Sequence, residues 1–465
     1  PPRSTLFPYT TLFRSEEWSY AELDRRSEAV ACRVQEREET GAGPVGLLYD
    51  QGAPLIAAIL GVLKAGRMYL VLDPDDPVSR LETIVREARP GLLLTDRAHA
   101  DRGRRISPEP GSILEEAEFS EPAVGRPRVS SPESGAWLMY TSGSTGLPKG
   151  VWQSHAGVLH HTDVYCDMIR LHPGDRLTLL TSLSLAASAT HLFAALLNGA
   201  TLCPFPVRSE GAERLADWLR QRQITVYHSV PSLFRQVARA LPPGQRFEQL
   251  RIVRLGGEPM LTADLEAYRR HCPAPCRLVH VLSSTETGLI CAHWIDHSTA
   301  VGAGRIPVGR PVQGVEVSLL DEQGQPVAAG KEGRIAVRGV GVARGYWGQP
   351  ELWAQAFHAD PHQPGTRGFV TGDLGRFDEH GNLEHLGRVD QVVKIRGQRV
   401  SLALVEAALR ALDNLEDAVV VAPADRAGEP RLVAYVVPRK ATTDLARHCR
   451  QRLREILPAG MIPGQ

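Results

Sequence analysis

The distribution of apolar and polar positions divides most of the chain into short segments that alternate between helical and strand-like periodicity. An amphipathic pattern predicts a first helix capped by Ser19, and apolar runs at 45–49 and 69–72 predict buried strands. Helical patterns of small and apolar residues lie between such runs, as at 54–65. Alternation of this kind is typical of a parallel sheet whose strands are joined by crossover helices.

The pattern changes in the last third of the chain. Residues 315–319 and 333–338 alternate between polar and apolar around a turn at Gly324, which predicts an antiparallel, barrel-like region. From about Arg388 onward, helical and strand-like segments of both kinds predict a small α+β domain.

The sequence therefore predicts an α/β protein with two domains. The large N-terminal domain, residues 16–387, is predicted to contain stacked mixed sheets with crossover helices and a β-barrel-like subdomain. Residues 388–465 are predicted to form a small, truncated α+β domain. Residues 1–15 lack an initiator methionine and the charged-then-apolar order of a signal peptide, so they are interpreted as a non-native remnant outside the fold.

Composition and charge narrow the class of protein further. The chain has 465 residues, of which 43% are hydrophobic, enough for two or three domains with a large core. Lysine plus arginine and aspartate plus glutamate both number 53, so no net field favours nucleic acid or an anionic membrane. No apolar run approaches the roughly 20 residues of a membrane span, and seven scattered cysteines do not indicate a disulfide framework. We expect a cytoplasmic protein.

A loop at 141–150 carries the first candidate chemistry. It follows an apolar run and contains three glycines, four hydroxyl side chains and Lys149. Glycine lets backbone N–H groups approach an anion, hydroxyls add neutral donors, and lysine adds a positive charge, so the segment predicts a phosphate-binding loop. A flexible surface loop is the alternative, which Pro148 and Lys149 between glycines disfavour. Its spacing does not satisfy the consensus with glycine directly before the lysine, which argues against a kinase or GTPase.

Three further segments follow predicted strands and carry groups suited to a nucleotide. Gly256 and Gly257 could let a flat ring lie against the backbone, and an ordinary strand-to-helix turn explains them equally. Glu286 lies among hydroxyl residues at 283–287, a set of oxygen ligands suited to a magnesium-bound triphosphate, with a helix cap as the alternative. Asp373 follows a glycine at a strand end and could accept hydrogen bonds from both ribose hydroxyls, with a turn aspartate as the alternative.

These segments, together with 387–397 and 457–463, resemble the motifs of the adenylate-forming superfamily, which contains acyl-CoA synthetases, luciferases and nonribosomal peptide synthetase adenylation domains. The match at 138–151 is almost residue for residue, and from about Trp18 to the end the motifs are most similar to those of adenylation domains. The resemblance implies a ligase that uses ATP and Mg²⁺ to activate a carboxylic or amino acid as acyl-AMP, with release of pyrophosphate. It implies that the acyl group then passes to the phosphopantetheine thiol of a peptidyl or acyl carrier domain.

The resemblance also implies roles for individual residues. Catalytic roles fall on Lys149, Thr285, Glu286 and Arg388, with Glu286 as the magnesium ligand, and Asp390 is the implied hinge between the two domains. The implied ATP-binding residues are Thr141, Ser142, Gly143, Ser144, Thr145, Gly146, Lys149, Gly256, Gly257, Glu258, Ser284, Thr285, Asp373 and Arg388.

Two segments depart from the family pattern. Leu282 stands where many relatives have a tyrosine against the adenine, so ring stacking there becomes plain apolar contact. The segment at 400–406 keeps Glu406 but lacks the usual glutamate and glycine ahead of it.

The substrate acid is constrained by one position. Relatives that load α-amino acids carry an aspartate for the substrate ammonium, and alignment backwards from Gly199 without gaps puts Ala186 there. A buried ammonium without a counter-charge costs several kcal/mol, so we predict an acid without an α-amino group, or one held by another group. The alternative is a gap of one or two residues and an ordinary amino acid. The predicted pocket residues are Ala186, Ala187, Thr190, Leu255, Val279 and Val281.

Three other functions are compatible with part of this sequence pattern. A stand-alone acyl- or aryl-CoA ligase would differ in the thiol it accepts, a luciferase-like oxygenase would consume oxygen, and a degenerate, non-catalytic domain would not bind nucleotide. The resemblance places a further catalytic lysine beyond the Met-Ile-Pro segment at 461–463, where the sequence ends, so we expect weak adenylation by this chain alone.

Overall fold

The computed structural model describes residues 11–13, 16–37, 43–107, 113–115, 127–142, 148–300, 306–359, 365–389, 392–395, 397–425, 429–439 and 444–464. The helices are α1 (Tyr20–Glu36), α2 (Ala53–Lys64), α3 (Val78–Ala88), α4 (Ala100–Ile106), α5 (His155–Ile169), α6 (Ala186–Leu197), α7 (Val207–Gln221), α8 (Pro231–Ala240), α9 (Thr262–His271), α10 (Pro350–Ala356), α11 (Leu402–Arg410) and α12 (Leu445–Arg454). The strands are β1 (Thr11–Phe13), β2 (Glu16–Trp18), β3 (Val45–Leu48), β4 (Tyr69–Leu72), β5 (Leu92–Thr95), β6 (Ile113–Glu115), β7 (Gly135–Ser142), β8 (Pro148–Ser154), β9 (Arg176–Leu179), β10 (Thr201–Pro204), β11 (Val226–Ser229), β12 (Ile252–Gly256), β13 (Arg277–Ser284), β14 (Gly288–Ile295), β15 (Arg310–Pro311), β16 (Val315–Leu320), β17 (Gly333–Gly339), β18 (Gly345–Tyr346), β19 (Phe357–Ala359), β20 (Arg367–Phe377), β21 (Leu383–Arg388), β22 (Val392–Ile395), β23 (Gln398–Ser401), β24 (Leu415–Val421) and β25 (Val433–Pro438).

Two large mixed sheets form the body of the molecule. One has the strand order β15-β14-β13-β12-β11-β9-β10-β1-β2, and the other has the order β18-β8-β7-β4-β3-β5-β6. The strands from β13 to β1 in the first sheet are parallel to their neighbours, and antiparallel strands lie at both edges. The predicted stacked mixed sheets are confirmed. Parallel strands need crossover helices, and these lie on both faces of each sheet.

The hydrophobic core shows how the layers are stacked. One cluster joins the inner faces of both sheets through helices α1, α2, α5 and α6, while a second packs α7, α8 and α9 on the outer face of the nine-stranded sheet. A third cluster packs α3 on the outer face of the seven-stranded sheet. Successive residues of a strand point to opposite faces, so the short apolar runs seen in the sequence supply both the inner and the outer clusters.

The remaining strands form smaller antiparallel units. Strands β16, β17, β20, β19 and β21 make a five-stranded sheet, which is the predicted barrel-like region. The hairpins β22–β23 and β24–β25 pack with α11 and α12 in a separate core cluster, which is the predicted small α+β domain. Arg388 belongs to β21 and thus to the five-stranded sheet, so the domain boundary predicted after residue 387 stays a prediction.

The structure bears on two local predictions, the helix cap at Ser19 and the interpretation of the N-terminal residues. The Ser19 hydroxyl accepts a hydrogen bond from the backbone N–H of Glu22 at 3.2 Å, as a helix cap should. Residues 1–15, which the sequence analysis excludes from the fold, include β1, which pairs parallel with β10 and antiparallel with β2. The nine-stranded sheet thus includes Thr11–Phe13, and the interpretation of residues 1–15 as a non-native remnant stays a prediction. Within the described residues, no helix is both long and apolar enough to traverse a lipid bilayer.

Two buried histidines predict how stability depends on pH. His161 and His280 contact backbone carbonyls, of Gly341 at 2.7 Å and of Pro307 at 2.9 Å. Burial lowers the pKa of each imidazole to about 4. The unfolded chain therefore binds more protons than the folded chain between about pH 6.5 and pH 4. As the pH is lowered through that window, we expect the free energy of unfolding to fall by about 1.4 kcal/mol per pH unit for each histidine.

Urea unfolding at pH 7, 5.5 and 4.5 tests this expectation. His280→Gln should reduce the dependence of the unfolding free energy on pH. His448→Gln, at an exposed position of α12, should leave it unchanged. An equal pH dependence for the wild type and His280→Gln would contradict the assignment.

Candidate active site

The hairpin of β7 and β8 presents the predicted phosphate-binding residues. Thr141 lies directly opposite Lys149, and Ser142 lies opposite Pro148. Gly143, Ser144, Thr145 and Gly146 lie outside the described residues. The Lys149 ammonium stands 5.7 Å from the centre of the Tyr346 ring, and Tyr346 is held beside it because β18 pairs with β8. A cation at this distance is attracted to the ring face.

Glu286 occupies the turn between β13 and β14 and is buried. The neighbouring Ser284 and Thr287 hydroxyls are 2.8 Å apart, which ties the turn together. Both carboxylate oxygens of Glu286 accept from Arg399 Nη1, at 3.0 and 3.2 Å. Burial would raise the pKa of Glu286, but the Arg399 guanidinium outweighs it and the pKa lies below its usual value. The pKa of the Tyr346 hydroxyl is raised, first by burial and then by the negative charge of the nearby Glu286 carboxylate.

Asp373 forms a second charged group at the centre of the five-stranded sheet. Asp373 on β20 lies directly opposite Arg388 on β21, and their side chains form an ion pair of 3.1 Å. The other carboxylate oxygen lies 3.0 Å from His385 Nε2. Burial opposes ionisation, but the His385 hydrogen bond and the charges of Lys394 and Arg388 hold the pKa of Asp373 well below its usual range. Asp373 is therefore a buried, ionised acceptor.

The predicted adenine segment lies at the end of β12. A side chain at Gly256 would meet the Val281 side chain at 2.5 Å, and Gly257 has a φ of +86°, so both positions favour glycine. Glu258 accepts backbone N–H groups from Ser232 at 3.1 Å and from Gly397 at 2.9 Å. The predicted nucleotide segment is thus bonded to the turn between β22 and β23 in the small domain.

The predicted acid pocket is divided between two faces of the nine-stranded sheet. Val279 and Val281 point to the inner face, where Ala186 at the start of α6 also packs, and Ala187 and Thr190 lie on the same helix. Leu255 belongs to the outer cluster with α8 and α9, so its inclusion in the pocket is wrong. Alternation along β12 places Arg254 and Gly256 on the inner face instead.

Arg399 connects the charged groups into one site. Burial would lower the pKa of the Arg399 guanidinium, but the Glu286 carboxylate outweighs burial and the pKa is raised. The charges of Arg388 and Asp373 also influence this pKa. The small domain is held against the large domain by further contacts, including an ion pair of 2.7 Å between Arg235 and Glu429. Arg399, Tyr346 and His385 lie outside the sequence motifs that predicted the site. The alternation at 392–401 was the available signal, because it places Arg399 opposite Lys394 on one face of the β22–β23 hairpin.

The oxygen groups around Glu286 suit magnesium. A carboxylate and the adjacent Thr285 hydroxyl are hard donors of the kind that this ion prefers. Both carboxylate oxygens accept from Arg399 in the present arrangement, so Arg399 competes with a cation for this carboxylate. Asp390, the predicted hinge, lies outside the described residues, and its role stays a prediction.

The fold and this two-domain site define an adenylate-forming ligase. The profile of the AMP-binding enzyme family matches residues 3–347, and that of the AMP-binding enzyme C-terminal domain matches residues 404–465. The chain belongs to the AMP-binding enzyme family.

Relatives agree with this assignment, and solved structures share the fold. The chain is 35% identical to the dimodular nonribosomal peptide synthase of Bacillus subtilis (strain 168) and 33% identical to tyrocidine synthase 3 of Brevibacillus parabrevis, each over 97% of this chain. It spans only 20% and 7% of the lengths of those two proteins. The fold matches an artificially fused adenylation–PCP di-domain, NpsA-ThdA from Klebsiella oxytoca, with a TM-score of 0.84, 24% identity, and coverage of 98% of this chain and 90% of that chain. It also matches the amide bond synthetase McbA from Marinactinospora thermotolerans, with a TM-score of 0.86, 23% identity, and coverage of 99% and 92%.

Proposed function

We propose that this chain activates a small-molecule carboxylic or amino acid with ATP, forms an enzyme-bound acyl-AMP and releases pyrophosphate. The acyl group then passes to the phosphopantetheine thiol of a carrier domain, as in an adenylation domain of a nonribosomal peptide synthetase. The observation that supports this most is the ion pair of 3.0 Å between Glu286 of the large domain and Arg399 of the small domain. The second ion pair, between Asp373 and Arg388, lies close enough for both of its charges to influence the pKa of Arg399.

In the first step, a carboxylate oxygen of the acid attacks the α-phosphorus while the bond to the bridging oxygen of pyrophosphate breaks. Bound Mg²⁺ would supply charge neutralisation on the phosphate oxygens. We assign Glu286 to hold the ion, Thr285 to contact the α-phosphate and Lys149 to face the phosphates, while Asp373 accepts from the ribose hydroxyls. Positioning and charge stabilisation of this kind account for most of the rate in phosphoryl and nucleotidyl chemistry.

In the second step, a thiolate attacks the acyl carbonyl and AMP leaves. In the arrangement described above, Arg399 pairs with Glu286 and competes with a cation for that carboxylate, so it suits a stage after pyrophosphate and its ion have left. We therefore assign two arrangements of the small domain to the two half-reactions, with Asp390 as the hinge. Movement of one domain against another lets one site present two sets of groups in turn.

The proposal is tested by ATP–pyrophosphate exchange over a broad panel of acids, followed by acceptor assays. We expect exchange with at least one acid and faster acyl transfer to a carrier domain than to coenzyme A. Preference for coenzyme A would identify a stand-alone ligase. Titration with ATP is the matched measurement, since a chain that does not bind ATP is a degenerate domain and the proposal fails. Best exchange with a proteinogenic L-amino acid would contradict the inference from Ala186.

A further inference from the structure

A buried polar cluster lies between the nine-stranded sheet and the two helices α5 and α6. It consists of Tyr165 on α5, His191 on α6, His228 on β11 and Arg254 on β12, each more than nine-tenths buried. His228 and Arg254 are direct partners on the paired strands, so their side chains share the inner face of the sheet. The motifs that indicated the function contain none of these residues.

The contacts within the cluster orient all four groups. The rings of His191 and His228 are stacked, with centroids 3.8 Å apart and planes within 7°. The Tyr165 hydroxyl bonds to His228 Nε2. Arg254 Nη1 lies 3.4 Å from His191 Nε2, and its guanidinium carbon stands 5.8 Å from the centre of the Tyr165 ring. The guanidinium is therefore surrounded by aromatic faces and edges.

This arrangement leaves one positive charge uncompensated. Burial holds the pKa values of His191 and His228 well below their usual value, so both imidazoles are neutral. In the part of the chain that the structure describes, no carboxylate forms an ion pair with Arg254. Arg254 Nε and His228 Nδ1 are buried without a hydrogen-bond partner. Buried charges and donors of this kind are costly unless they are paired.

Two other arginines of the same chain, the buried Arg235 and the half-buried Arg251, are paired with carboxylates. Arg235 on α8 contacts Asp264 at 2.6 Å and Glu429 at 2.7 Å. Arg251, three residues before Arg254, forms a bidentate pair with the fully buried Asp175. The lack of a carboxylate at Arg254 is therefore a local feature of this cluster, and a ligand is the simplest source of the missing charge.

The position of the hydrogen on the His228 ring also indicates an anionic ligand. Burial raises the pKa of the Tyr165 phenol, so this hydroxyl keeps its proton and donates to His228 Nε2. The neutral ring then carries its own hydrogen on Nδ1, the atom that has no partner. Arg254 Nε–H and His228 Nδ1–H are thus two unpaired donors that come from neighbouring strands.

The cluster lies beside the predicted acid pocket. Gly256 follows Arg254 by two residues on the same face and pairs with Val281, and His191 lies on the helix that begins at Ala186. Ligands of such sheets bind at the carboxyl ends of the parallel strands, where β11 and β12 end. Resting on the proposed function, we infer that the acid activated by this chain carries a second carboxylate, which Arg254 and His228 bind. A single guanidinium matches a monoanion, and its fork matches carboxylate geometry.

The inference predicts selectivity for dicarboxylic acids over their monoamides. Pyrophosphate exchange is measured with succinate, glutarate and phthalate, each against the corresponding monoamide, and with L-glutamate against L-glutamine. We expect the best diacid to exceed its monoamide about a hundredfold in kcat/KM, because an amide removes the charge and leaves Arg254 unpaired. Arg254→Gln should reduce this ratio to within about threefold while the KM for ATP stays unchanged. An unchanged ratio in Arg254→Gln would overturn the inference.

Thermal unfolding separates a ligand-binding role from a structural role. Arg254→Met should unfold at the same or a higher temperature than the wild type, because an apolar side chain replaces an unpaired buried charge. Arg251→Met, at the residue directly before the same strand, is the control and should unfold at a lower temperature, because it removes the guanidinium that pairs with the buried Asp175. If Arg254→Met is destabilised as much as Arg251→Met, Arg254 is a structural residue and the inference fails.

The same method distinguishes this inference from the proposed function. The preferred diacid should raise the unfolding temperature of the wild type but not of Arg254→Gln, and inorganic phosphate should raise neither. If no acid supports exchange but this difference is observed, adenylation fails and the carboxylate site stands. If monocarboxylic acids support exchange and no diacid shifts the unfolding temperature, adenylation stands and the carboxylate site fails.

Discussion

Glu286→Gln is expected to lower the rate of pyrophosphate exchange by about 10²–10³-fold at saturating ATP. Glu286 is the buried carboxylate beside Tyr346, whose ring also faces Lys149, and glutamine keeps its shape while removing the charge that a divalent cation requires. The defect should become smaller as the magnesium concentration rises. Exchange rates measured over a magnesium titration test this expectation directly.

Two further variants serve as controls for the Glu286 experiment. Glu316→Gln removes a carboxylate that is 69% exposed and paired with Arg338 at the surface, so it should leave exchange unchanged. Arg399→Gln should act in the opposite direction to Glu286→Gln. It removes the competitor for the carboxylate and should lower the magnesium concentration for half-maximal exchange by about three- to tenfold. The assignment fails if Glu286→Gln keeps the wild-type magnesium dependence.

Asp373→Asn is expected to weaken ATP binding by about a hundredfold, because two hydrogen bonds to a charged acceptor are worth about 1.5–3 kcal/mol each. The carboxylate can accept from both ribose hydroxyls, whereas the asparagine amide offers one acceptor oxygen. The substitution also removes the charge that orients Arg388 and His385. Calorimetric titration with ATP measures the loss of affinity, and titration with 2′-deoxy-ATP measures the part that depends on the ribose 2′-hydroxyl.

The deoxy nucleotide makes the Asp373 experiment specific. The wild type should bind ATP more tightly than 2′-deoxy-ATP, and Asp373→Asn should lose most of this difference. Asp378→Asn, in the turn between β20 and β21, is the matched control and should behave as the wild type, since asparagine suits the same turn. Undiminished discrimination in Asp373→Asn would show that another group contacts the ribose.

Much of the fold could be predicted from the chain because its causes are local. Apolar runs of strand length, helical patterns between them and the Ser19 cap depend on neighbouring residues, and all three appear in the structure. The strand at Thr11–Phe13 could not be predicted in this way, because it is stabilised by β10, almost 200 residues away. The sequence pattern also left open which face each pocket residue occupies, and Leu255, which was included in the predicted pocket, lies on the outer face.

The residues of the candidate site also fall into two groups, those that stand in local sequence motifs and those that only the fold brings together. Lys149, Glu286 and Asp373 were visible because each stands in a short motif at the end of a predicted strand. Arg399 was not, because its carboxylate partner is 113 residues away and in another domain. The Arg254 cluster was also missed, since it joins α5, α6, β11 and β12 and no segment contains more than one of its members.

The amino-acid sequence by itself determined the class of fold, the order of its elements and the chemistry of the strand ends, because periodicity and loop composition act over a few residues. Only the tertiary structure decided which charges are paired. Arg399 meets Glu286, Arg388 meets Asp373, and Arg254 meets no carboxylate among the described residues. Burial makes those pairings costly to change, and burial is a property of the packed layers as a whole.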